Sequence, residues 1–135
     1  MRRAVLDPGV LVSALISPSG TPARLVAQAV AGEFELIVSP ALLAELDGVL
    51  RREKFRPHFD LETAGEYVAL LGRTATNAAD PEQQPSLRST DPDDDYLIAL
   101  AHSQNAVLVS GDSDLLDLLG GAPICAPADF LATVA

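Results

Sequence analysis

The 135-residue sequence has few cysteine, aromatic and lysine residues, and it contains no long hydrophobic segment. The single Cys125 cannot form an internal disulfide and has no partner at a metal-binding spacing. No uncharged apolar run reaches the roughly 18 residues of a membrane span, and the N-terminus "MRRAVLDPGV" turns polar too early for a signal peptide. The hydrophobic fraction of 48% is nevertheless enough for a core. We therefore expect a single cytoplasmic domain over residues 1–135, with no membrane partner.

Positive charge is also scarce, because nine Lys and Arg residues face 19 acids and give a formal net charge of −10. Proteins that hold nucleic acids through their overall field usually carry a basic face. Nucleic-acid chemistry would here require bound divalent cations or a local basic stretch such as "RREKFR", residues 51–56. The simpler interpretation of that stretch is the solvated end of a helix, where cations complement the dipole.

Short apolar runs alternate with longer segments of helical periodicity, which is typical of a βαβ protein with a parallel sheet. Strands are predicted at residues 3–6, 34–39 and 106–110, with weaker candidates at 74–78 and 122–126. Helices are predicted at 21–33 (Thr21 as the cap, then Pro22), 39–55 (Ser39 as the cap, then Pro40), 60–73 (Asp60 as the cap), 91–105 and 113–121, with one long loop at 77–90.

Acidic residues follow two of the predicted strands directly. Asp7 follows the first strand, and Asp112 and Asp114 follow the "AVLVS" strand in "VSGDSDLL". In parallel α/β sheets, functional sites form at the carboxyl ends of the strands, most often where the strand order reverses. If these two strands are neighbours, their acids converge.

Helical periodicity separates the acids that open the helix at 91–105. Steps of three, four and seven residues from Asp94 reach only apolar side chains, Leu97, Ile98 and Ala101. The same steps from Asp95 end at the polar His102. Asp94 is therefore predicted to begin the stripe that faces the sheet, whereas Asp91 is better explained as a cap or loop residue.

Glu45 lies in the second turn of the helix after the second strand. Its neighbours one helical turn away are Ala41, Leu42, Gly48 and Val49. This pattern predicts that the carboxylate interrupts an otherwise buried face. A buried lone charge costs several kcal/mol, so Glu45 is expected to be paired, protonated or bound to a cation.

The four acids Asp7, Glu45, Asp94 and Asp112 would repel one another at one end of a sheet. Like charges ~4 Å apart cost on the order of 4 kcal/mol at an effective dielectric near 20. A divalent cation would remove this cost, and the oxygen-only ligand set favours Mg²⁺ or Mn²⁺ over Zn²⁺. Such a site can activate water and stabilise charge on a phosphodiester. Taken singly, each acid is also explained as a helix cap or turn residue.

Three stretches in this order and spacing resemble the PIN domain family, in particular the VapC-like toxins of type II toxin–antitoxin pairs. They are "VLDPGVLVSAL", "IVSPALLAELDGVLRREKF" and "STDPDDDYLIALAHSQNAVLVSGDSDLL". The resemblance implies an α/β fold, a three-layer α/β/α sandwich with a central parallel sheet of about five strands. It also implies an endoribonuclease that depends on Mg²⁺ or Mn²⁺.

The resemblance further implies roles for individual residues and for partners. The residues that match the family's catalytic positions are Asp7, Glu45, Asp94 and Asp112, of which Asp7, Asp94 and Asp112 would bind the metal, with Asp114 and Ser110 as accessory residues. The implied partners are an RNA substrate, a second copy in a homodimer, and a small antitoxin that places a basic side chain in the acidic pocket.

The sequence departs from the family pattern directly after the first acid. The family has Thr or Ser and then Asn, whereas this chain has Pro8 and Gly9. An alternative is therefore a catalytically weak or degenerate PIN domain that retains antitoxin binding. A third interpretation, a receiver-type phosphoacceptor pocket, requires a lysine near the last strand, but the chain's one lysine is Lys54.

Overall fold

The computed structural model describes residues 2–81, 95–111 and 124–134, and these residues contain five strands, six α-helices and a 3₁₀ turn. The elements in chain order are β1 (Arg3–Leu6), α1 (Pro8–Ile16), α2 (Thr21–Val30), β2 (Glu35–Val38), α3 (Pro40–Leu50), the 3₁₀ turn (Glu53–Phe55), α4 (Leu61–Thr74), β3 (Thr76–Asn77), α5 (Asp95–Ser103), β4 (Val107–Val109), β5 (Ile124–Cys125) and α6 (Pro127–Val134). The predicted helix at 113–121 and residues 82–90 of the predicted loop lie outside the described residues.

The five strands form one parallel sheet in the order β3-β2-β1-β4-β5. The predicted α/β/α sandwich is confirmed, and each predicted strand contains an observed one. The central strand β1 pairs with β2 on one side and with β4 on the other, so the strand order reverses at β1. Leu6 of β1 is in register with Val109 of β4, which brings the carboxyl ends of these two strands level with each other.

The core is built from the strands and from one face of each packed helix. Residues of β1 such as Val5 and Leu6 are fully buried. The buried residues of α3 recur every four positions, at Leu42, Leu46 and Leu50, and each is 0% exposed. Burying a leucine side chain stabilises the fold by roughly 1.5–3 kcal/mol, so this spacing fixes which face of α3 meets the core. The single cysteine, Cys125, is half-buried beside the core.

Two of the three predicted helix caps are confirmed. Ser39 caps α3, where its Oγ accepts a hydrogen bond from the backbone N–H of Leu42, and Asp60 caps α4 in the same way. The predicted cap at Thr21 is wrong, because Thr21 is already the first residue of α2 and Gly20 holds the cap position. The reason is that the Gly20 carbonyl accepts the N–H of Arg24 at 3.2 Å and closes the first turn one residue earlier.

Among the described residues, each helix taken singly is too short or too polar to cross a membrane. Helices α1 and α2 pass the criteria of length and composition only as a pair, and the chain bends by 101° between them.

Candidate active site

Asp7 lies at the turn from β1 into α1 and is held there by backbone hydrogen bonds. Its own N–H donates to the carbonyl of Val109 in β4 at 3.1 Å, and its Oδ1 accepts the N–H of Val10 at 2.8 Å. Pro8 follows as the first residue of α1, a position where the N–H that proline lacks is not needed. The turn therefore fixes the carboxylate at the carboxyl end of the central strand.

Ser110 follows β4 and contacts the second oxygen of the same carboxylate. Its hydroxyl donates a hydrogen bond to Asp7 Oδ2, and its backbone N–H donates to the Cys125 carbonyl at 3.0 Å. Ser110 is 0% exposed and Asp7 is 7% exposed, so both groups are removed from water. Hydrogen bonds to an ionised acceptor are stronger than neutral ones, and they offset the cost of burying the charge. The first strand and the "AVLVS" strand are thus neighbours, which is the condition that the sequence left open for the convergence of their acids.

Asp7 and Glu45 line one cavity of about 480 Å³ at the carboxyl edge of the sheet. The cavity lies where the strand order reverses, the usual position of a ligand site in an α/β sheet. Its other lining residues are small, apolar or uncharged: Pro8, Gly9, Val10, Ser13, Pro22, Gly111 and Pro127. Of the described residues that line it, two are acids and none is Lys, Arg or His.

The environment predicted for Glu45 is wrong. The residue is exposed, as are Ala41 and Gly48 on the same side of α3, whereas Leu42, Leu46 and Leu50 on the adjacent face are buried. The prediction failed because it counted alanine and glycine as core residues, although small side chains fit either environment. Glu45 does not interrupt a buried face, yet it reaches the cavity that contains Asp7.

The other predicted site residues, Asp94, Asp112 and Asp114, lie outside the described residues. The described chain resumes at Asp95, where α5 begins, and Gly111 is the last described residue after β4. The structure therefore brings together Asp7, Glu45 and Ser110, and the convergence of the remaining acids stays a prediction.

The described donors suit a hydrated hard cation. Mg²⁺ is often held by one or two carboxylates while it keeps several waters, and the cavity supplies the carboxylates of Asp7 and Glu45. The described residues contain no cluster of three or more His, Cys, Asp or Glu side chains placed to hold a metal. Asp7 and Glu45 thus fit part of a coordination shell.

Gly9 and Ser13 line the cavity but were not predicted as site residues. A Cβ atom at Gly9 would lie 3.3 Å from Asp7 Oδ1, which is closer than most Cβ contacts. Gly9 therefore leaves room for the carboxylate in its capping conformation. The four-residue spacing from Gly9 to Ser13 on α1 is a signal that could have placed Ser13 on the same face.

The PIN domain family model matches residues 3–114, so this chain belongs to the PIN domain family. A relative in sequence is an uncharacterized protein of Methanocaldococcus jannaschii, which is 25% identical over 116 residues, 86% of this chain and 74% of the relative.

Solved structures share the fold at lower sequence identity. A protein of Pyrobaculum aerophilum is 19% identical with a TM-score of 0.70, and the match covers 98% of this chain and 89% of that one. VapBC2 of Rickettsia felis, solved bound to a DNA fragment from its promoter, is 16% identical with a TM-score of 0.61, covering 92% and 98%. A PilT N-terminus domain protein of Sulfolobus solfataricus is 15% identical with a TM-score of 0.55, covering 98% and 92%.

Proposed function

We propose that this protein is an endoribonuclease dependent on Mg²⁺ or Mn²⁺, and the toxin component of a toxin–antitoxin pair. PIN domain proteins are generally nucleases, and VapBC2 of Rickettsia felis, a VapBC protein by name, shares the fold. The observation that carries the proposal is that Asp7 and Glu45 line the same cavity at the strand-order reversal.

Each residue has a distinct role in this proposal. Asp7, with Asp94 and Asp112, would hold the cation, which when bound activates water and stabilises charge on the phosphodiester. Glu45 would orient the attacking water and accept its proton, since it is exposed at the cavity rather than buried. Ser110 positions Asp7, because its hydrogen bond fixes Oδ2.

The partners follow from the charge of the cavity. Its described lining has two acids and no base, which suits a basic side chain inserted by an antitoxin. A homodimer and a cytoplasmic location complete the proposal.

Mn²⁺ binding measured by isothermal titration tests the metal site directly. Asp7→Asn should abolish binding, since asparagine keeps the capping acceptor for the Val10 N–H but lacks the charge. Asp47→Asn is the matched control, because Asp47 lies on α3 but pairs with Arg51 at 3.0 Å. Equal Mn²⁺ affinity in the wild type and Asp7→Asn would contradict the proposal.

The alternative, a weakly active domain that retains antitoxin binding, is favoured by Pro8 and Gly9 at the cavity. Under this alternative, Pro8→Thr with Gly9→Asn should create or greatly raise activity. A side chain at position 9 would crowd Asp7, because a Cβ there lies close to its carboxylate. The single variant Pro8→Thr, which adds no side chain at position 9, is therefore assayed beside the double variant. Unchanged activity in both variants counts against the alternative.

A further inference from the structure

Positive charge is concentrated in residues 51–58, which we call the basic turn. The segment contains four of the chain's nine Lys and Arg residues but only one of its 19 acids. It begins directly after α3, includes the 3₁₀ turn, and is mostly exposed. In a chain with a net charge of −10, this segment offers a polyanion local positive charge.

Aromatic stacking holds the basic turn in a defined conformation. The rings of Phe55 and Phe59 are stacked with centroids 5.9 Å apart and planes 14° apart. Lys54 Nζ lies 5.1 Å from the Phe55 centroid, and the Arg56 guanidinium carbon lies 5.5 Å from that of Phe59. Cation–π contacts of this kind contribute on the order of 0.5–1 kcal/mol at exposed sites. Lys54 and Arg56 are thus pre-positioned, and for Lys54 this lowers the entropy cost of binding an anion.

Two of the four cations already have structural roles. Arg56 Nη2 donates to the carbonyls of Leu50 and Arg52 at the end of α3, so the predicted helix-end role is confirmed for this residue. Arg51 pairs with Asp47. Arg52 and Lys54 are exposed and form no ion pair with any described residue. These two side chains are available to a ligand.

The exposed face of α3 connects the basic turn to the cavity. Gly48 lies on this face about one turn beyond Glu45 and before the basic turn, and a Cβ placed on it would meet nothing within 4 Å. A helical glycine costs roughly 0.5–1 kcal/mol relative to alanine, and no packing within the described structure requires it here. A smooth surface at this point would allow close approach of a ligand backbone.

The distances suit a nucleic-acid strand. At about 1.5 Å per residue, the end of α3 at Leu50 lies about 7.5 Å beyond Glu45 along the helix axis, and the basic turn begins directly after it. A strand bound in the cavity would therefore reach the basic turn within a few nucleotides. Building on the proposed nuclease function, we infer that Arg52 and Lys54 bind the substrate's phosphate backbone, which runs from the cavity over Gly48 to the basic turn.

A second copy of this acidic chain would also satisfy the charge of the basic turn. It would not explain why the basic turn lies at the end of the helix that carries Glu45 to the cavity, with Gly48 between them. A nucleic-acid strand accounts for the positive charge and for the place of the basic turn beside the cavity. If a second protein copy binds there instead, RNA binding will not depend on the basic turn.

Binding of a fluorescein-labelled single-stranded 12-nucleotide RNA, measured by anisotropy in EDTA across a salt series, tests this inference. Each neutralised phosphate contact contributes about 0.7 to the slope of log K against log salt for single strands. Arg52→Gln and Lys54→Gln should each lower the slope by about 0.7, and the double variant by about 1.4. Arg73→Gln is the control, because Arg73 is exposed on α4 and the substitution changes the net charge by the same amount. It should leave the slope unchanged.

Gly48→Gln should weaken RNA binding several-fold, because the glutamine side chain would occupy the surface between Glu45 and the basic turn. Gly65→Gln is the matched control, since Gly65 also lies in a helix with nothing within 4 Å of an added Cβ, but on α4. Equal slopes in the wild type and both basic-turn variants, or equal effects of the glycine variants, overturn the inference. So does a sedimentation result in which the double variant dissociates a dimer without any loss of RNA binding.

Cleavage assayed in parallel with Mn²⁺ separates this inference from the proposed function. If the basic-turn variants lose RNA binding and the wild type does not cleave, the binding surface stands and the nuclease proposal fails. If the wild type cleaves with Mn²⁺ and the basic-turn variants bind and cleave equally well, the nuclease proposal stands and the binding surface is refuted.

Discussion

Removing the Ser110 hydroxyl should destabilise the protein more than removing any neutral helix cap. Ser110→Ala deletes the hydrogen bond to Asp7 Oδ2 while the residue stays small and uncharged. The acceptor is a carboxylate only 7% exposed, so water cannot readily replace the lost donor. Hydrogen bonds to charged groups contribute about 1.5–3 kcal/mol. We therefore expect a loss of about 2 kcal/mol in the free energy of unfolding, or roughly 6–10 °C in Tm.

Ser39→Ala supplies the comparison. Ser39 is also 0% exposed, but its Oγ caps α3 by accepting the neutral backbone N–H of Leu42. Loss of a neutral cap costs typically about 1 kcal/mol. Urea denaturation of both variants at pH 7, extrapolated linearly to water, measures the difference.

The same variant tests the positioning role proposed for Ser110. Replacing a residue that orients a metal ligand typically lowers metal affinity about 10- to 100-fold, so Ser110→Ala should weaken Mn²⁺ binding by this factor while Ser39→Ala leaves it unchanged. If Ser110→Ala loses no more stability than Ser39→Ala and binds Mn²⁺ as the wild type does, the role assigned to the Asp7 contact is refuted.

Three further predictions rest on single contacts. Tyr67→Phe should cost about 1 kcal/mol in urea denaturation, because the buried hydroxyl donates to the Leu11 carbonyl at 2.7 Å. Burial raises the pKa of Tyr67, so the stability difference between wild type and Tyr67→Phe should be present below pH ~10 and fall as pH rises above it. Gly9→Ala should weaken Mn²⁺ binding in calorimetry, because the new Cβ crowds the carboxylate of Asp7. A hydrogen bond from the backbone amide of Thr63 lowers the pKa of Asp60, so the Asp60 carboxylate stabilises the wild type above pH ~4 and this stability is lost below it. Asp60→Ala should lack this pH-dependent stability, which acid titration of the circular dichroism signal measures.

The strands β1, β2 and β4 were predictable because most of their residues are buried, whereas both residues of β3 are exposed. A parallel strand covered by helices has a short, continuous apolar run, and the sequences of β1, β2 and β4 all have this form. The caps at Ser39 and Asp60 were predictable because their oxygens satisfy amides that no helix can pair internally. These are local rules, and they require no knowledge of the three-dimensional arrangement.

The orientation of Glu45 was not predictable in this way. Periodicity identifies a buried face only when large apolar side chains occupy it, and the residues next to Glu45 include Ala41 and Gly48, which are exposed. The buried face of α3 is the one that carries its leucines, whereas the small residues beside Glu45 resembled a buried face and are exposed. Only the packing of α3 against its neighbours decides between them.

The contact between Asp7 and Ser110 depends on which strands are neighbours. The two residues are separated by most of the chain, and they meet because β1 pairs with β4 in a register that aligns Leu6 with Val109. The sequence predicted acids at strand ends, but strand order is a property of the whole fold. The predicted convergence was therefore conditional until the sheet order was known.

Cleavage of a panel of single-stranded RNAs tests the central claim most directly. The wild type should cleave RNA with Mg²⁺ or Mn²⁺, and activity should be lost in EDTA and in Glu45→Gln, whose exposed position makes a folding defect unexpected. Asp94→Asn should also lose activity if Asp94 completes the metal site with Asp7 and Asp112. RNA cleavage by the wild type that persists in EDTA, or by Glu45→Gln at the wild-type rate, would contradict a metal-dependent nuclease centred on Asp7 and Glu45.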